Sequence, residues 1–334
     1  MLKFKFAVFF FVSSVVHAAS PLPYKFVKEI PVGGEGGWDY VSVDSKARKL
    51  YLSHATKIVV VDLDKGAIAG EIIDTPGVHG LAIASDLGRG FSSNGKENMV
   101  SIIDLTTLKT LSKVPTGENP DAILYEPKRQ EVYAFNGRGK SVTIIQAKTG
   151  TVIATLPLPG KPEFAAVDPV AQRVYVNIED KNIVISIDTV KHIVASSWPI
   201  APGETATALS IDLKNHRLFI GCENQMMAMM DSTTGKIIAT VPIEKGVDAN
   251  VFDPASQLVF SSNGSGTVTI ALEETPDQLK VIQTLKTEKG ARTLALDAQT
   301  KKIYLPSAKF DSAPSTDHHP KIIPGTQKLL VYGP

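Results

Sequence analysis

The sequence predicts an all-β protein built from a repeated unit of four short strands. The tetrapeptide S-S-N-G occurs at residues 92–95 and 261–264, and a near copy, A-F-N-G, lies at 134–137. Stepping along the chain by about 42 residues finds the same apolar segments seven times, each rich in β-branched residues and bounded by Gly, Pro, Asn or Asp. Repeats of this length with four strands each are typical of β-propellers. We therefore predict a seven-bladed β-propeller with four-stranded antiparallel blades; an open solenoid is the alternative.

The start of the chain has the pattern of a secretory signal. Lys3 and Lys5 precede an apolar run at 6–16, and small residues follow at a possible cleavage point. The run is shorter than the roughly 20 apolar residues of a membrane span, although an uncleaved anchor is the alternative. We expect residues 1–19 to be cleaved, leaving 20–334 as one propeller domain without an integral membrane span.

The charge of the mature chain gives no indication of a nucleic acid or an anionic membrane as its partner. The formal net charge of +1 falls to about −1 when the two lysines of the signal are removed. A nearly neutral chain has no general electrostatic attraction to nucleic acids or anionic membranes. We expect a monomer in the periplasm, at the cell surface or secreted, with a small molecule or a protein as its partner.

Each repeat begins with an apolar strand that ends in an acidic or small residue. These seven end positions are Asp44, Ser85, Glu126, Asp168, Asp212, Asp253 and Asp297. A second segment follows each of them, such as G-F-S-S-N at 90–94 or V-Y-V-N at 174–177. Third and fourth segments such as V-S-I-I-D-L at 100–105 and V-I-A-T-L-P-L at 152–158 complete the unit. Nearly continuous apolar strands are expected where stacked blades bury both faces of a sheet.

The two ends of the chain predict how the ring closes. The seventh unit has strands near 294–297, 301–307 and 327–332 but no fourth strand, whereas residues 24–32 form a strand with no blade of its own. Pairing that strand into the last blade removes two exposed sheet edges. The seventh unit also carries a long loop at 309–326, which we expect to leave from the channel-mouth face as a cover or a passive loop.

Three segments show a family resemblance: Y-V-N-I-E-D-K at 175–181, F-N-G-R-G-K-S-V at 135–142 and S-N-G-K-E-N-M-V-S-I-I-D at 93–104. They resemble the YVTN-type repeat of the YncE-like group of exported bacterial propellers. The resemblance covers roughly 24–334. It implies a seven-bladed propeller outside the cytoplasm and no common reaction, and it is weakest in blades two, five and seven.

An asparagine ends the second strand in four repeats: Asn94, Asn136, Asn177 and Asn263. His54, Cys222 and Ser307 hold this place in the other three. An Asn-Gly pair favours a tight turn because both residues tolerate positive φ, and the side chain can bond nearby backbone. The alternative is that the asparagines face a ligand at the channel mouth.

A second set of polar residues is expected on the same face, in the loops that enter the first strands. Five places before each strand end are Asp39, Gly80, Asp121, Glu163, Thr207, Asp248 and Arg292. Variation at a fixed place of a constant repeat suits a binding surface, although loops are polar in any case. The predicted ligand-binding residues are Trp38, Asp39, Tyr40, His54, His79, Asn94, Asp121, Asn136, Glu163, Asn177, Asp248, Asn263 and Arg292.

Converging carboxylates would raise one another's pKa or hold a cation. One divalent metal ion is therefore a possible cofactor. Oxygen ligands suit calcium, an amine or a polyol, whereas His54 and His79 with Glu163 or Asp39 would suit zinc or acid–base chemistry. Cys222 and the methionines at 226–230 resemble a copper(I) ligand set, but core packing explains them better.

Three functions fit these patterns. The preferred one is an exported binding or scaffold protein for a small ligand, a cation or a protein at the channel-mouth face, because the chain has no linear catalytic motif. The first alternative is a metal-assisted lactonase or lyase that uses His54, His79, Glu163 and Asp248, since propellers can assemble a site from several blades. The second is a subunit of a periplasmic redox complex.

Overall fold

A computed structural model describes residues 22–311 and 321–334 of the chain. The predicted signal at 1–19 and Asp317, His318 and His319 of the long loop lie outside these residues. The described chain forms seven four-stranded antiparallel sheets, so the predicted seven-bladed propeller is confirmed. Its helical turns are the short 3₁₀ segments Ser85–Leu87 and Glu179–Lys181, and no helix among the described residues is long and apolar enough to span a bilayer.

The strands follow the chain in order from the inside of each blade to the outside. Strand β1 is Lys25–Pro31 and belongs to blade seven. Blade one is β2 Trp38–Asp44, β3 Lys49–His54, β4 Lys57–Asp62 and β5 Ala67–Ile72; blade two is β6 Val78–Ala84, β7 Arg89–Asn94, β8 Met99–Asp104 and β9 Lys109–Pro115. Blade three is β10 Pro120–Glu126, β11 Glu131–Asn136, β12 Ser141–Gln146 and β13 Val152–Pro157; blade four is β14 Pro162–Asp168, β15 Arg173–Ile178, β16 Ile183–Asp188 and β17 Ile193–Pro199. Blade five is β18 Ala206–Asp212, β19 Arg217–Cys222, β20 Met226–Asp231 and β21 Ile237–Pro242; blade six is β22 Val247–Asp253, β23 Leu258–Asn263, β24 Thr267–Thr275 and β25 Gln278–Lys286. Blade seven adds β26 Ala295–Asp297, β27 Lys302–Ser307 and β28 Lys328–Gly333.

The ring is closed by β1, as the sequence predicts. The order in blade seven is β26, β27, β28, β1, and β1 runs antiparallel to β28 from Lys25 opposite Gly333 to Pro31 opposite Lys328. Ile30 of β1 is buried in the core shared with blade one, and Tyr24 just before β1 is buried in the core shared with blade six. The segment from Tyr24 to Pro31 therefore completes blade seven and packs against both of its neighbours, blades one and six.

The hydrophobic core consists of layers between neighbouring blades. Seven apolar clusters are buried, and each draws its residues chiefly from two adjacent blades around the ring. The second and third strands supply most of them because both faces of these strands are covered, as in β11, whose six residues are all buried. This explains why the strand sequences are continuous in apolar residues rather than alternating.

The acidic residues that end the first strands fold the turns that follow. Asp44 accepts a hydrogen bond from the amide of Ala47, and Asp168 accepts two from the amides of Val170 and Ala171. Such side-chain acceptors stabilise tight turns, which explains why the acid recurs. In blade two the first strand ends at Ala84, and Ser85 begins a 3₁₀ turn. The end position assigned to blade two from the sequence was therefore wrong by one residue.

A β-bulge lies near the start of six inner strands. In blade one Trp38 pairs with His54 and Val41 with Leu52, so Asp39 and Tyr40 together oppose one residue. Blades two, three, four, five and six shift register at the same place. A bulge leaves its extra residue outside the ladder and redirects the side chain. The fold thus gives each of these six blades a residue that is free to point into the channel mouth.

Candidate functional site

The bulges place one side chain from almost every blade at the channel mouth. We call the set Asp39, His79, Asp121, Glu163, Thr207, Asp248 and Arg292 the mouth ring. Each of the first six follows the first residue of its inner strand, and Arg292 precedes β26. His79 takes the blade-two position that the sequence analysis gave to Gly80, because the strand end there is Ala84. The structure therefore brings a histidine, four carboxylates and a guanidinium to one face.

Hydroxyl groups from neighbouring blades hold the backbone of this ring. Ser53 donates to the carbonyl oxygens of Tyr40 and His79, at 2.6 and 2.5 Å. Ser93 donates to the carbonyl of Asp121 at 2.5 Å, and Thr293 to that of Asp39 at 2.9 Å. Ser262 makes the corresponding bond to the carbonyl of Arg292. The ring residues are thus fixed on rigid strands across blade boundaries, which is a property of preorganised sites.

Asp39, His79 and Asp121 form the tightest group in the ring. The Nδ1 atom of His79 lies 2.7 Å from Asp39 Oδ2 and 3.5 Å from Asp121 Oδ1, and one ligand atom from each residue lies within 4.8 Å of the other two. Burial alone would lower the pKa of His79, but the hydrogen bond to Asp39 and the charge of Asp121 raise it to about 9. The imidazole is therefore protonated at neutral pH and is paired with two carboxylates.

Three carboxyl groups of the ring, those of Glu163, Asp248 and Asp121, have a raised pKa because burial outweighs the positive charge near them. Burial, and then the charge of Asp121, raises the pKa of Glu163 to about 8 against the opposing effect of Lys161. Burial likewise raises the pKa of Asp248 to about 7, against the opposing effect of Arg292, whose Nε lies 2.6 Å away. The pKa of Asp121 rises to about 6, again chiefly by burial. Each of these carboxyl groups would ionise more readily if a positive charge were bound nearby.

Lys161 and Glu179 extend the site beside blade four. The Nζ atom of Lys161 lies 3.1 Å from Glu163 Oε2 and also pairs with Glu179. Neither residue was predicted as part of the site. Lys161 could have been found because it lies two residues before Glu163 in the same strand entry, but the position of Glu179 depends on the 3₁₀ turn after β15.

An aromatic pair lies in the channel below the ring. Tyr40 of blade one meets Phe164 of blade four edge to face, with ring centroids 5.3 Å apart. These blades lie on opposite sides of the ring, so the pair bridges the channel. Burial and then the charges of Asp121, Glu163, Asp39 and Asp248 raise the pKa of Tyr40 well above its usual value, which places its hydroxyl near the carboxylates.

A cavity of about 90 Å³ lies directly beneath the mouth ring. Its lining residues follow the ring residues by one to three positions along the inner strands; they include Tyr40, Gly80, Ile123, Phe164, Ala249 and Thr293. This volume is enough for several water molecules or a small organic group. The arrangement is therefore a polar, charged rim above a mainly apolar recess, as in many small-ligand sites.

The asparagines do not face this site. Asn94, Asn136, Asn177 and Asn263 have no exposed surface. Asn94 donates to Ser101, Asn136 to Ser141 and Thr143, and Asn263 to Thr267 and Thr269, all within their own blades. Asn177 donates to the carbonyl of Ala208 in the next blade. Their burial makes them structural groups, which corrects the idea that they contact a ligand.

The S-S-N-G motif has a different basis from the one expected. Neither Asn94 nor Gly95 adopts a positive φ. Glycine is needed for space, because a Cβ at Gly95 would lie 2.6 Å from Nε2 of His79. The second serine of each copy holds a ring carbonyl, as described for Ser93 and Ser262. The repeated motif therefore supports the mouth ring without belonging to it.

Two further predicted residues lie apart from the ring. His54 is buried and its Nε2 hydrogen-bonds the carbonyl of Gly33 at 3.1 Å, so the proposed pair of His54 with His79 is not formed. Trp38 packs against Phe310, with ring centroids 6.2 Å apart, at the base of the long loop. Phe310 also bridges to Ile322, so the two described ends of that loop lie beside blade one.

The sulfur-containing residues are in the core. Met226 begins β20, the third strand of blade five, and Met227, Met229 and Met230 are fully buried. Cys222 is also fully buried, and burial raises the pKa of its thiol to about 12. A buried, protonated thiol is a poor nucleophile and a poor metal ligand. Nothing in this arrangement favours the redox function.

The comparisons with known proteins support the fold alone. Neither a protein-family model nor a curated protein sequence matches the chain. A chain of the crystal structure of the mitotic checkpoint complex is similar in structure, with a TM-score of 0.75, 12% sequence identity and 99% of each chain covered. A chain of hydrazine synthase from Kuenenia stuttgartiensis gives a TM-score of 0.71 at 14% identity, covering 88% of this chain and 95% of that one. Both agree with the propeller architecture described above.

Proposed function

We propose that this protein is an exported binding protein that takes a small, positively charged ligand at the mouth ring. The observation that carries the proposal is the raised pKa of three ring carboxyl groups, to about 6 in Asp121, about 7 in Asp248 and about 8 in Glu163. Burying carboxylates without enough positive charge is unfavourable. A bound cation would supply that charge, and its binding would return these pKa values toward the usual range.

The charges around the mouth support the sign of the ligand. Ring and flanking residues supply the five carboxyl groups of Asp39, Asp121, Glu163, Asp248 and Glu179. Three cationic groups, those of His79, Lys161 and Arg292, face them. When all the carboxyl groups are ionised, two negative charges are left over. A divalent cation or a small diamine matches this excess, and the recess beneath the ring offers space for an apolar part of an organic ligand.

Export is the second part of the proposal. It is supported by the basic start, the apolar run and the small residues of the predicted signal at 1–19, and by the resemblance to exported propellers. A propeller that carries its stability in seven packed cores needs no disulfide outside the cytoplasm, and the single cysteine is buried and free.

A metal-assisted lactonase or lyase is the second candidate. The observation that favours it is the set of groups with pKa values from about 6 to about 9 at one mouth, which includes possible acids and bases near neutral pH. Of the four residues expected for this enzyme from the sequence, His79, Glu163 and Asp248 lie in the mouth ring. His54 lies outside the ring and is no longer a candidate.

The proposal is tested by ligand-dependent stability. Exported protein would be purified, its mass checked for loss of residues 1–19, and bound ions removed by a chelator and dialysis. Melting temperatures would then be measured with calcium, zinc, putrescine and acetate at constant ionic strength. We expect at least one cation, but not acetate, to raise the melting temperature by several degrees, since ligand at 100 times its Kd adds about 2.7 kcal/mol.

The matched variants separate the mouth ring from general charge effects. The double variant Glu163→Gln, Asp248→Asn should lose most of the cation effect. Glu71→Gln should keep it, because Glu71 pairs with Lys57 on the outer part of blade one. Equal stabilisation of both variants, or no response of the wild type to any cation, would contradict the proposed function.

A further inference from the structure

We propose that Asp39, His79 and Asp121 form a binding site for one transition-metal ion of the zinc class, open on the side that faces Tyr40. This inference rests on the proposed function and deepens it, because it names the cation and three of its ligands.

The spacing of the ligand atoms is close to that of a metal site. In a tetrahedral zinc site with bonds of about 2.0–2.1 Å, the ligand atoms lie about 3.4 Å apart. The distance from His79 Nδ1 to Asp121 Oδ1 is 3.5 Å, and that to Asp39 Oδ2 is 2.7 Å. One of the two contacts already has the required length. The other needs a widening of roughly 0.7 Å, which a side-chain rotation of Asp39 can supply once the ion has displaced the Nδ1 proton of His79 to solvent.

The backbone of the three ligand residues is held by hydroxyl groups of neighbouring blades. Thr293, Ser53 and Ser93 each fix the backbone carbonyl of one of the three ligand residues. The three hydroxyl groups come from blades seven, one and two, while the ligands come from blades one, two and three. Gly95 leaves the space that the His79 ring occupies. These contacts restrict the ligands before an ion arrives, which lowers the cost of binding.

The donor set indicates which ions fit. Calcium and magnesium prefer oxygen ligands alone, whereas an imidazole nitrogen suits zinc, cobalt, nickel, copper and iron. Two carboxylates balance the charge of a divalent ion, and Glu163 and Asp248 add to the negative potential around it. Three protein ligands also leave a coordination position for water or substrate, as in catalytic zinc sites.

A second observation, independent of the three ligands, indicates where the open position lies. The hydroxyl of Tyr40 makes no hydrogen bond within the described residues. It lies in the negative field of four ring carboxylates, those of Asp121, Glu163, Asp39 and Asp248. The same side chain lines the cavity beneath the ring. A partly buried phenol at the edge of this cavity is a suitable donor to a ligand bound on the ion.

Zinc and cobalt(II) binding to the metal-free mature chain tests this assignment. We expect one zinc ion per chain by native mass spectrometry and isothermal titration calorimetry, and an intense visible absorption of the cobalt form that indicates four- or five-fold coordination. His79→Gln and Asp39→Asn should each weaken zinc binding by about 100-fold or more. Glu71→Gln, which removes a carboxylate that pairs with Lys57 on the outer part of blade one, should leave zinc binding unchanged.

Three results would contradict the metal assignment, and the response to other cations separates it from the proposed function. Absence of stoichiometric zinc, unchanged binding by His79→Gln, or a weak octahedral cobalt spectrum of the wild type would overturn the inference. The cobalt spectrum needs no variant, so the test holds even where a substitution prevents folding. If calcium or putrescine stabilises the protein while zinc does not bind, the proposed function stands and only the metal assignment fails. If no cation binds, both fail.

Discussion

At the scale of single residues, the mouth ring depends on side chains that do not belong to it. His79 can lie between Asp39 and Asp121 because the next strand end carries Gly95 rather than a larger residue. The same place in blade three, Gly137, faces Asn119 at ordinary contact distance. Gly95 is therefore required by the space that His79 occupies, whereas Gly137 is not required by its neighbours. Substitution of each glycine by alanine should distinguish the two.

We predict that Gly95→Ala displaces the His79 ring, whereas Gly137→Ala is tolerated. The added methyl at 95 would lie 2.6 Å from His79 Nε2, but at 137 the nearest atom is 3.5 Å away. Gly95→Ala should cost about 1–3 kcal/mol of unfolding free energy through overpacking. Gly137→Ala should be neutral or stabilise by up to about 1 kcal/mol through the unfolded chain. Urea denaturation measures both values.

Nuclear magnetic resonance of the histidine side chains gives the second readout. In the metal-free wild type, His79 should titrate with a pKa of about 9, and Gly95→Ala should bring this pKa back toward the usual 6.5 as the contact with Asp39 is lost. An unchanged His79 titration in Gly95→Ala would show that the ring accommodates the methyl group without moving.

At the scale of secondary-structure elements, the blades are joined by polar contacts as well as by the apolar layers. On the face opposite the ring, His192 of blade four pairs with the buried Glu131 of blade three at 3.0 Å. Lys301 of blade seven pairs with Asp253 of blade six at 2.9 Å. The junction of blades five and six differs, because Glu273 is fully buried and its Oε2 has no hydrogen bond within the described residues.

We predict that Glu273 makes the protein less stable as the pH rises from about 4.5 to about 7. Burial, and then the charge of Asp212, raises the pKa of Glu273 from 4.5 to about 7. Its stabilising contribution is therefore complete below pH 4.5 and is lost as the pH rises to 7. The loss amounts to roughly 3 kcal/mol. Glu273→Gln keeps an acceptor for Asn215 and should be more stable than wild type at pH 8 but not at pH 4.5.

Urea denaturation at the two pH values checks this prediction. Glu274→Gln is the matched control, since the neighbouring Glu274 pairs with Lys280 near the surface and should leave the pH dependence as in the wild type. The same pH dependence in Glu273→Gln as in the wild type would show that another group is responsible.

At the scale of the whole molecule, the ring holds together because every blade is packed against two others. Blade seven is the exception in its construction, since its outer strand comes from the other end of the chain. The β1 strand supplies Ile30 to the core and pairs with β28 over almost its full length. Removing it would expose both β28 and the core beneath.

We predict that a chain beginning at Gly34 melts at least about 10 °C below one beginning at Leu22. The shorter chain loses the β1–β28 ladder and the buried side chains of Tyr24 and Ile30, each worth roughly 2 kcal/mol or more. Thermal unfolding followed by circular dichroism compares the two directly. Equal melting temperatures would mean that closure by β1 contributes little to the stability of the ring.

The repeat made the architecture predictable. The site was harder to predict, because it depends on where each inner strand ends and on which polar side chains are buried. Seven similar units with turn-forming acids at fixed places predict blades, and the unpaired strand at 24–32 predicts closure. The position of His79 could not be assigned because blade two lacks the acid that marks the strand end elsewhere. The burial of His54 and the four asparagines could not be predicted from the sequence either. A polar residue at a strand end can face solvent or can form a hydrogen bond to the next strand, and the sequence pattern is the same in both cases.

Closure by β1 also sets the order in which the molecule can form. The first strand of the propeller must pair with its last strand, and Lys25 and Gly333 are more than 300 residues apart. Closing a loop of this length costs about 3 kcal/mol more than closing one of ten residues, so the pairing is favourable only once the other blades have brought the ends together. Until then β28 presents a free edge. A β1 strand from a second copy would satisfy that edge equally well, so crowded nascent chains are exposed to strand exchange during this interval.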